Sequence, residues 1–359
     1  MKKPKNILVC PLDWGLGHAT RMVTVIDLLL DEGVNVIIAA DKGPMDFLKQ
    51  RFPNCKFIRL AGFIPTYPPN RSMAFQMALQ FPEMKRQAKK ANADVNRIID
   101  EKNIDIIISD NRYEVNSPKV YSIIISHQIR IITKGIQKLF DPFIKWQINS
   151  YLRKFNELWI PDFENTPWLS GSLSHNIIMP IKEFSFIGPL SRFQGLNPRL
   201  GKAKYDLMVI LSGPEPQRSI FAALIEEQIV GTKYKVVFLL GEPANDRTII
   251  NNNIVKIPHL EDVDFAKLIM ESDLIISRPG YSTVMDLSVF GKNAVFIPTP
   301  GQTEQEYLAE TLKAQGVFYC QHQDKLDLLK AIKESKNYSG IKLTNDLEVL
   351  KVRIKKLLD

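Results

Sequence analysis

Leu274 to Glu310 read LIISRPGYSTVMDLSVFGKNAVFIPTPGQTEQEYLAE. An apolar run, a polar turn, a helical pattern, a second apolar run and a second helical pattern follow one another there. Short apolar strands that alternate with helices are typical of a parallel sheet covered by helices on both faces. The stretch therefore predicts a doubly wound α/β domain.

The polar turn in this stretch carries groups that suit an anion. Ser277 to Gly280 interrupts the apolar run, and Tyr281 to Thr283 opens the helix. The first backbone N–H groups of a helix have no partner within the helix and carry partial positive charge. Together with two hydroxyls and the Arg278 guanidinium, they predict a phosphate site.

Acidic and amide side chains follow the turn. Asp286 lies about one and a half helical turns further on, and Gln302 to Glu306 opens the second helix. Carboxylate and amide acceptors beside a phosphate suit the vicinal hydroxyls of a ribose and a sugar. The alternative is a solvated acid and an ordinary helix start, which each residue taken alone favours. The residues taken together favour a nucleotide-sugar site.

This block resembles the donor-binding half of GT-B fold glycosyltransferases, in the family 28-like group of MurG and the UDP-glycosyltransferases. The pattern of that group is S-R-x-G-x-x-T-x-x-[ED], then an apolar strand ending in Pro, then a Gln-rich helix start. The matching residues are Ser277, Arg278, Gly280, Thr283, Asp286, Pro298 and Gln305.

The resemblance implies a role for each donor residue. Asp286 would hold the ribose, and the turn with Gly280, Tyr281, Ser282 and Thr283 would receive the diphosphate. Gln305 and Glu306 would touch the transferred sugar, with Gln302 on the same side. Two residues depart from the group's pattern: its ribose acid is usually Glu, and Ala309 stands where the group has Asn. The identity of the sugar is therefore left open.

Composition sets the broad class of the protein. The 359 residues are 45% hydrophobic and 24% charged, which suits a globular chain with two domains. The three cysteines are far apart, and no stretch has the length of a membrane span. We expect a cytoplasmic protein, on the inner face of the membrane if it is peripheral. The net charge of +8 suggests an anionic partner, and no pattern favours nucleic acid.

The alternation of strands and helices extends over the whole chain and predicts two doubly wound Rossmann-like domains that face each other across a cleft, the GT-B arrangement. The predicted domains are an acceptor-binding domain over 1–187, a linker over 188–204, a nucleotide-sugar-binding domain over 205–340, and a terminal helix over 341–359. In GT-B proteins, by resemblance, that last helix crosses back to the N-terminal domain.

A glycine-containing turn follows the first predicted strand. Gly15 and Gly17 permit a tight turn, and His18 stands at the entrance of a helix predicted over Met22 to Leu30. Thr20 occupies the position of the third glycine of a dinucleotide fingerprint, which disfavours an NAD enzyme. The turn resembles the first βα turn of GT-B enzymes, which borders the acceptor.

His18 is a candidate base for the acceptor hydroxyl, or else a structural histidine of the turn. Asp110, after another buried strand, is the rival base or an Asx-turn residue. Acceptor-side candidates are Gly15, Gly17, Asn111, Arg112, His127 and Gln128. His127 and Gln128 are candidates by resemblance, and the alternative for His127 is a structural histidine of the loop. Further donor-side candidates by resemblance are Arg192, Ser212, Gly213 and Leu260.

We predict no metal and no cofactor other than the UDP-sugar co-substrate. Asp262-Val263-Asp264 imitates a metal-binding D-x-D motif, but its place at a helix start favours capping. Met73 to Ala91 and Gln137 to Phe155 mix aromatic and basic residues, as helices at a membrane surface do, although core-packing helices with a basic face look similar.

The predicted function is transfer of a sugar, N-acetylglucosamine or another hexose, from UDP to an unknown acceptor, metal-independent and inverting. The acceptor could be lipid-linked or a cell-envelope glycan. A nucleotide-sugar 2-epimerase on the same fold and a non-catalytic nucleotide-sugar-binding protein are the alternatives.

Overall fold

The computed structural model describes residues 4–63, 73–133, 135–196, 203–242, 245–341 and 347–359. The chain divides into two compact units. The N-terminal unit comprises Met1–Arg192 and Asp346–Asp359, and the C-terminal unit comprises Phe193–Asn345. Residues 197–202 of the predicted linker lie outside the described residues.

Strands and helices alternate in both units. The strands are β1 Asn6–Pro11, β2 Asn35–Ala40, β3 Lys56–Arg59, β4 Ile106–Asp110, β5 Tyr121–Ile125, β6 Glu157–Ile160, β7 Phe184–Phe186, β8 Tyr205–Ile210, β9 Val236–Leu239, β10 Ile249–Asn251, β11 Ile254–Ile257, β12 Ser272–Ser277, β13 Ala294–Phe296 and β14 Tyr319–Cys320. The α-helices are α1 Leu16–Asp31, α2 Lys42–Arg51, α3 Met73–Lys102, α4 Asp141–Leu152, α5 Gln217–Ile229, α6 Asp262–Met270, α7 Tyr281–Phe290, α8 Thr303–Ala314, α9 Leu328–Ser335 and α10 Glu348–Leu358. The 3₁₀ helices are Gly135–Phe140, Gly171–Leu173 and Gln323–Lys325.

Each unit is built on one sheet. The N-terminal sheet has the order β3-β2-β1-β4-β5-β6-β7, and all its pairs are parallel. The C-terminal sheet has the order β10-β11-β9-β8-β12-β13-β14 and is parallel except for β10 against β11. The predicted α/β class with two doubly wound sheets is confirmed.

Three strands were not predicted from the sequence: β7, β10 and β14. Each has three residues or fewer, and β7, β10 and β14 lie at sheet edges. Edge strands are often short and half solvated, so they lack the continuous apolar run that marks a central strand. The central strands show that run because both faces of the sheet are covered.

Both sheets have a switch point at which the strand order reverses. In the N-terminal sheet it lies between β1 and β4, where Pro11 pairs with Asp110 at the carboxyl ends of the two strands. In the C-terminal sheet it lies between β8 and β12, where Ile210 pairs with Ser277. Connections leave a switch point in opposite directions and open a crevice there, which is where open α/β sheets bind ligands.

The terminal helix belongs to the N-terminal unit. Helix α10 buries Leu350 and Ile354, and Lys5 Nζ donates to Leu357 O at 3.0 Å. Val352, two residues from each of them, is 61% exposed, because residues two apart do not share a helix face. Among the described residues, no helix combines the length and the apolar character that a membrane crossing needs.

Candidate active site

The turn after β1 places His18 at the carboxyl ends of the strands of the N-terminal sheet. Gly15 is the residue before α1 and has φ of 121°, a value that side-chain-bearing residues rarely adopt. Helix α1 begins at Leu16, six residues before the helix predicted at Met22, so His18 lies in its first turn. Gly17 lies beside it in the same turn. The His18 side chain is 19% exposed.

His18 and Asp110 form a hydrogen-bonded pair. His18 Nδ1 lies 3.0 Å from Asp110 Oδ2, and Asp110 is the last residue of β4 with a fully buried side chain. The two candidate bases are thus partners rather than rivals. The geometry gives them different tasks: His18 reaches the surface, and Asp110 holds its ring.

Arg21 is part of the same cluster and was not among the predicted site residues. Its Nε donates to Asp110 Oδ2 at 2.9 Å, its Nη2 donates to Asp110 Oδ1, and its Nη1 lies 3.3 Å from His127 Nδ1. Arg21 follows His18 by three residues and therefore lies on the same face of α1. That spacing was the available sequence signal.

The cluster shifts the pKa of both His18 and Asp110. Burial and the nearby Arg21 charge hold the pKa of His18 below its usual value, against the opposing effect of Asp110. Burial by itself would raise the pKa of Asp110, but Arg21 and His18 hold it below its usual value. At neutral pH the pair is therefore a neutral imidazole on a carboxylate, which is the state a general base needs.

Three other predicted acceptor-side residues also lie at the carboxyl ends of these strands. His127 is buried just past β5, and Gln128 follows it and is half-buried. Asn111 has φ of 56°, which asparagine tolerates, and its Oδ1 accepts from Ser126 Oγ at 2.8 Å. The strand ends thus bring His18, Asp110, Asn111 and His127 together.

Arg112 does not fit its predicted acceptor-side role. Its side chain is fully buried, Nη1 donates to Leu60 O at 2.9 Å, and Nε donates to Glu114 Oε1 at 2.8 Å. Asp13 Oδ2 is 3.4 Å from Nη1. A Cβ at Gly62 would lie 3.1 Å from Nη2, so the glycine allows the chain to cover the guanidinium. Arg112 is an internal clamp between strand ends.

The β12 to α7 turn has the predicted form. Gly280 is the residue before α7, and Tyr281, Ser282 and Thr283 form the first turn of the helix. Ser282, Thr283 and Asp286 are half-buried, whereas Tyr281 is buried. The start of α7 therefore stands at the switch point of the C-terminal sheet with its positive dipole end and two hydroxyls.

Arg278 differs from its predicted contact with a diphosphate. It is 1% exposed, Nη1 donates to Ile297 O at 3.0 Å and Pro298 O at 3.1 Å, and Nη2 donates to Gln323 Oε1 at 2.6 Å and Gln217 O at 3.3 Å. Its guanidinium lies 4.2 Å from the ring centre of Phe221. Burial lowers the pKa of Arg278 to about 10, so it stays charged at neutral pH. The guanidinium thus joins the segment after β13, the start of α5 and Gln323 through hydrogen bonds. We call this role of Arg278 a clamp, and these segments are the walls of the turn.

The start of α8 carries the three remaining predicted sugar-binding residues. Gln302 is the residue before the helix. Gln305 Oε1 accepts from Thr299 N at 2.9 Å, and Glu306 Oε1 accepts from Gly301 N at 3.0 Å. Both side chains hold the turn that precedes their own helix, which is the structural alternative stated from the sequence. Their contact with a sugar stays a prediction.

Three of the other donor-side candidates follow strands of the C-terminal sheet. Ser212 and Gly213 are exposed just after β8, Gly213 with φ of 93°, and Leu260 follows β11 and is half-buried. Arg192 is the last residue of the N-terminal unit rather than part of the C-terminal one. Their predicted roles remain predictions.

The D-x-D sequence lies at a helix start, as expected. Asp262 and Asp264 are in the first turn of α6, but the capping position belongs to Glu261. In the part of the chain that the structure describes, no group of three or more His, Cys, Asp or Glu side chains is arranged to hold a metal ion.

Part of the chain matches a known protein family. Residues 219–349 match the family model of the glycosyltransferase family 28 C-terminal domain. The UDP-N-acetylglucosamine--N-acetylmuramyl-(pentapeptide) pyrophosphoryl-undecaprenol N-acetylglucosamine transferase of Prochlorococcus marinus (strain MIT 9312) is 23% identical over 64% of this chain and 61% of that protein. The protein of the same name from Histophilus somni (strain 129Pt) is 32% identical over 48% of this chain and 50% of that protein. The chain thus spans less than two thirds of the length of either relative.

Solved structures agree on the fold. The glycotransferase of kitacinnamycin has a TM-score of 0.70 at 13% identity, covering 99% of this chain and 100% of that one. MurG of Acinetobacter baumannii has a TM-score of 0.62 at 16% identity, covering 98% and 100%. The chain has the GT-B glycosyltransferase fold, and the resemblance read from Ser277 to Glu306 is confirmed.

Proposed function

We propose that this protein is a glycosyltransferase that moves a hexose, N-acetylglucosamine or a related sugar, from a UDP-sugar to an acceptor hydroxyl. The observation that carries the proposal is the contact of 3.0 Å between His18 Nδ1 and Asp110 Oδ2 at a sheet switch point. It occurs in a chain whose residues 219–349 match the family model of the glycosyltransferase family 28 C-terminal domain. The relatives named above are transferases that use UDP-N-acetylglucosamine.

The His18 and Asp110 pair supports a displacement reaction. His18 Nε2 takes the proton of the acceptor hydroxyl while the acceptor oxygen bonds to the anomeric carbon. The bond from that carbon to the diphosphate oxygen breaks, and UDP leaves with the electron pair. Attack opposite the leaving group inverts the anomeric configuration. Asp110 stabilises the imidazolium that forms, as a buried carboxylate partner does in other His-based sites.

The donor side of the proposal depends on the start of α7. Its backbone N–H groups and the Ser282 and Thr283 hydroxyls suit the diphosphate, because a helix N-terminus favours negative charge. Asp286, one turn further and half-buried, would accept from the ribose hydroxyls. Metal independence is part of the proposal, and undiminished transfer in excess EDTA is the result it expects.

Ligand binding and product analysis test the proposal. A thermal-shift panel of UDP-, GDP- and TDP-sugars and NAD(P) should show stabilisation by UDP-sugars, because a ligand that binds the folded state raises Tm. Radiolabelled UDP-N-acetylglucosamine with lipid and envelope-glycan extracts should give a labelled product that His18→Gln does not form. Absence of any UDP-sugar shift would overturn the donor assignment. Conversion to the 2-epimer without acceptor would replace transfer by epimerisation.

An exposed aromatic surface supports a lipid-linked acceptor. This surface, called here the α4 surface, consists of Leu139, Phe140, Phe143 and Trp146, which are 58% to 79% exposed. Lys138 and Lys145 flank it and are exposed. Large apolar side chains beside lysines suit the boundary of an anionic bilayer. We assign this surface to contact with anionic lipid. The side chains of residues 73–79, in the other stretch with this pattern, lie outside the described residues.

Vesicle binding tests the α4 surface directly. The protein should sediment with phosphatidylglycerol-containing vesicles, less with pure phosphatidylcholine, and less as salt rises. The double variant Phe143→Ser, Trp146→Ser should lose most of this binding. Val352→Ser on α10, also an exposed apolar position, is the matched control. Equal sedimentation of the double variant and the control would remove the lipid assignment and leave the enzymatic proposal in place.

A further inference from the structure

Arg21 is a buried charge in the centre of the proposed site. It is 2% exposed and lies on α1, three residues after His18. A buried guanidinium costs free energy unless acceptors surround it. Here it makes a two-point contact with Asp110 and reaches His127 with its remaining terminal nitrogen. Side chains from the end of β4 and from the segment after β5 therefore meet on one arginine of α1.

The chemistry of arginine fixes the proton positions around it. A guanidinium only donates, so His127 Nδ1 must accept, and the ring proton of neutral His127 is then on Nε2. Asp110 is ionised and only accepts, so His18 Nδ1 must donate, and the lone pair of neutral His18 is on Nε2. The two imidazoles are thereby held as opposite tautomers.

We propose that Arg21 is a positioning residue that sets the protonation of both histidines: through Asp110 it leaves His18 a basic Nε2, and by direct contact it leaves His127 an Nε2–H donor. The catalytic meaning of this arrangement rests on the proposed sugar transfer. The proton positions themselves do not, because they follow from the contacts of Arg21.

Charge balance gives Arg21 a second effect on His18. The charged and titratable groups that act on His18 are Arg21 on its own helix, Asp110 at the end of β4 and His127 after β5. Tyr113, which adjoins the same charges, is neutral at ordinary pH because burial raises its pKa. With Arg21 present, the carboxylate charge is largely balanced. Without it, Asp110 would favour the imidazolium, which cannot act as a base.

Histidine NMR tests the proposal without knowledge of the acceptor. The chain has five histidines, so long-range ¹H–¹⁵N spectra of ¹⁵N-histidine-labelled protein can be assigned with His18→Gln and His127→Gln. The wild type should show His18 protonated on Nδ1 and His127 on Nε2 near neutral pH. In Arg21→Met, the preference of His127 for a proton on Nε2 should weaken, and the titration midpoint of His18 should move to higher pH.

Two further variants separate positioning from mere support of the fold. Arg21→Lys keeps the positive charge but cannot contact Asp110 and His127 at the same time as a guanidinium does. It should therefore keep the low titration midpoint of His18 and weaken the preference of His127 for a proton on Nε2. Arg97→Met removes an arginine that is 66% exposed in the same unit and should change neither histidine. If Arg21→Met does not fold, Arg21→Lys still decides through the His127 tautomer. A folded Arg21 variant with wild-type tautomers and midpoint would overturn the proposal.

Enzyme kinetics adds an independent measurement once transfer is detected. In Arg21→Met the acidic limb of the pH profile of kcat/KM should move to higher pH, because His18 must lose a proton before it can act. A uniform fall in kcat/KM with an unmoved limb would indicate a structural role and overturn the proposal. Failure to find sugar transfer would leave the NMR result, and so the positioning claim, intact.

Discussion

Arg278→Met distinguishes a guanidinium that clamps the fold from one that binds a diphosphate. The substitution removes the charged donors to Ile297 O, Pro298 O, Gln217 O and Gln323 Oε1 and the contact with the Phe221 ring. The methionine keeps part of the apolar volume and no donor. The buried carbonyl groups then lose their partners, which is the costly outcome for polar groups in a protein interior.

The magnitude follows from these contacts. A hydrogen bond to a charged group contributes about 1.5–3 kcal/mol, and a cation over an aromatic ring contributes about 0.5–2 kcal/mol. The four bonds share one side chain and are not additive. The folded state also regains the cost of burying the charge, which is large enough to lower the pKa of Arg278 to about 10. We expect a net loss of about 3 kcal/mol, close to the cost of breaking a buried charged contact.

Hydrogen exchange is the suitable assay because it resolves the effect along the chain. A loss of about 3 kcal/mol corresponds to roughly 100-fold faster exchange, and we expect it in peptides from β13 and the start of α5. Arg278→Lys should lose less, since an ammonium still donates to some of these acceptors. Arg247→Met replaces an exposed arginine of the same unit and is the control.

One result would refute the reasoning. If Arg278→Met exchanged like the wild type but bound UDP at least 10-fold more weakly, the guanidinium would act on the nucleotide and not on the fold. Faster exchange together with weaker UDP binding agrees with the clamp, because the loosened walls belong to the turn that starts α7.

Three more outcomes are expected. Asp286→Ala should abolish the UDP-dependent rise in Tm and leave Tm without ligand nearly unchanged, and a normal UDP shift would contradict the ribose assignment. Arg112→Met should cost about 3–5 kcal/mol, since it leaves the buried Asp13 carboxylate without its cation; urea unfolding followed by tryptophan fluorescence measures this, with Arg97→Met as control. Burial lowers the pKa of His18, so below about pH 6.5 the unfolded chain takes up a proton that the folded chain does not. Stability should therefore fall as pH drops from there toward the folded-state pKa, and His18→Gln should show a smaller difference in Tm between pH 7.5 and pH 5.5.

The sequence predicted the parts of the fold that depend on local pattern. The central strands were recognised because burial on both faces requires a continuous apolar run, as in β1 and β12. The turn at Gly280 was recognised because glycine, proline and hydroxyl residues mark helix starts. The start of α1 was placed too late, since Gly15 and Gly17 suggested a longer turn than the one that forms.

The partners of the arginines could not be predicted, because they depend on contacts between distant parts of the chain. Arg278 donates hydrogen bonds to Ile297 and Gln323, and Arg112 donates one to Leu60. A motif shows that an arginine stands beside a turn but not which way its side chain points. Arg21 was missed because the predicted helix began only at Met22, and its partners come from the end of β4 and the segment after β5.

The net charge of +8 suggested an anionic partner, but several of the arginines near the candidate site are buried. Arg112 and Arg278 were predicted site residues and Arg21 stands near His18, yet each is 2% exposed or less and is engaged by protein acceptors. These side chains face protein acceptors rather than solvent, so we do not expect them to contact a bound diphosphate directly. In the proposed function, the donor diphosphate is recognised at the start of α7, whose N–H groups act at short range. In the same proposal, exposed lysines such as Lys138 and Lys145, beside the aromatic α4 surface, attract anionic lipid over longer distances. Raising salt should therefore weaken vesicle binding far more than UDP binding, because screening acts mainly on exposed charges.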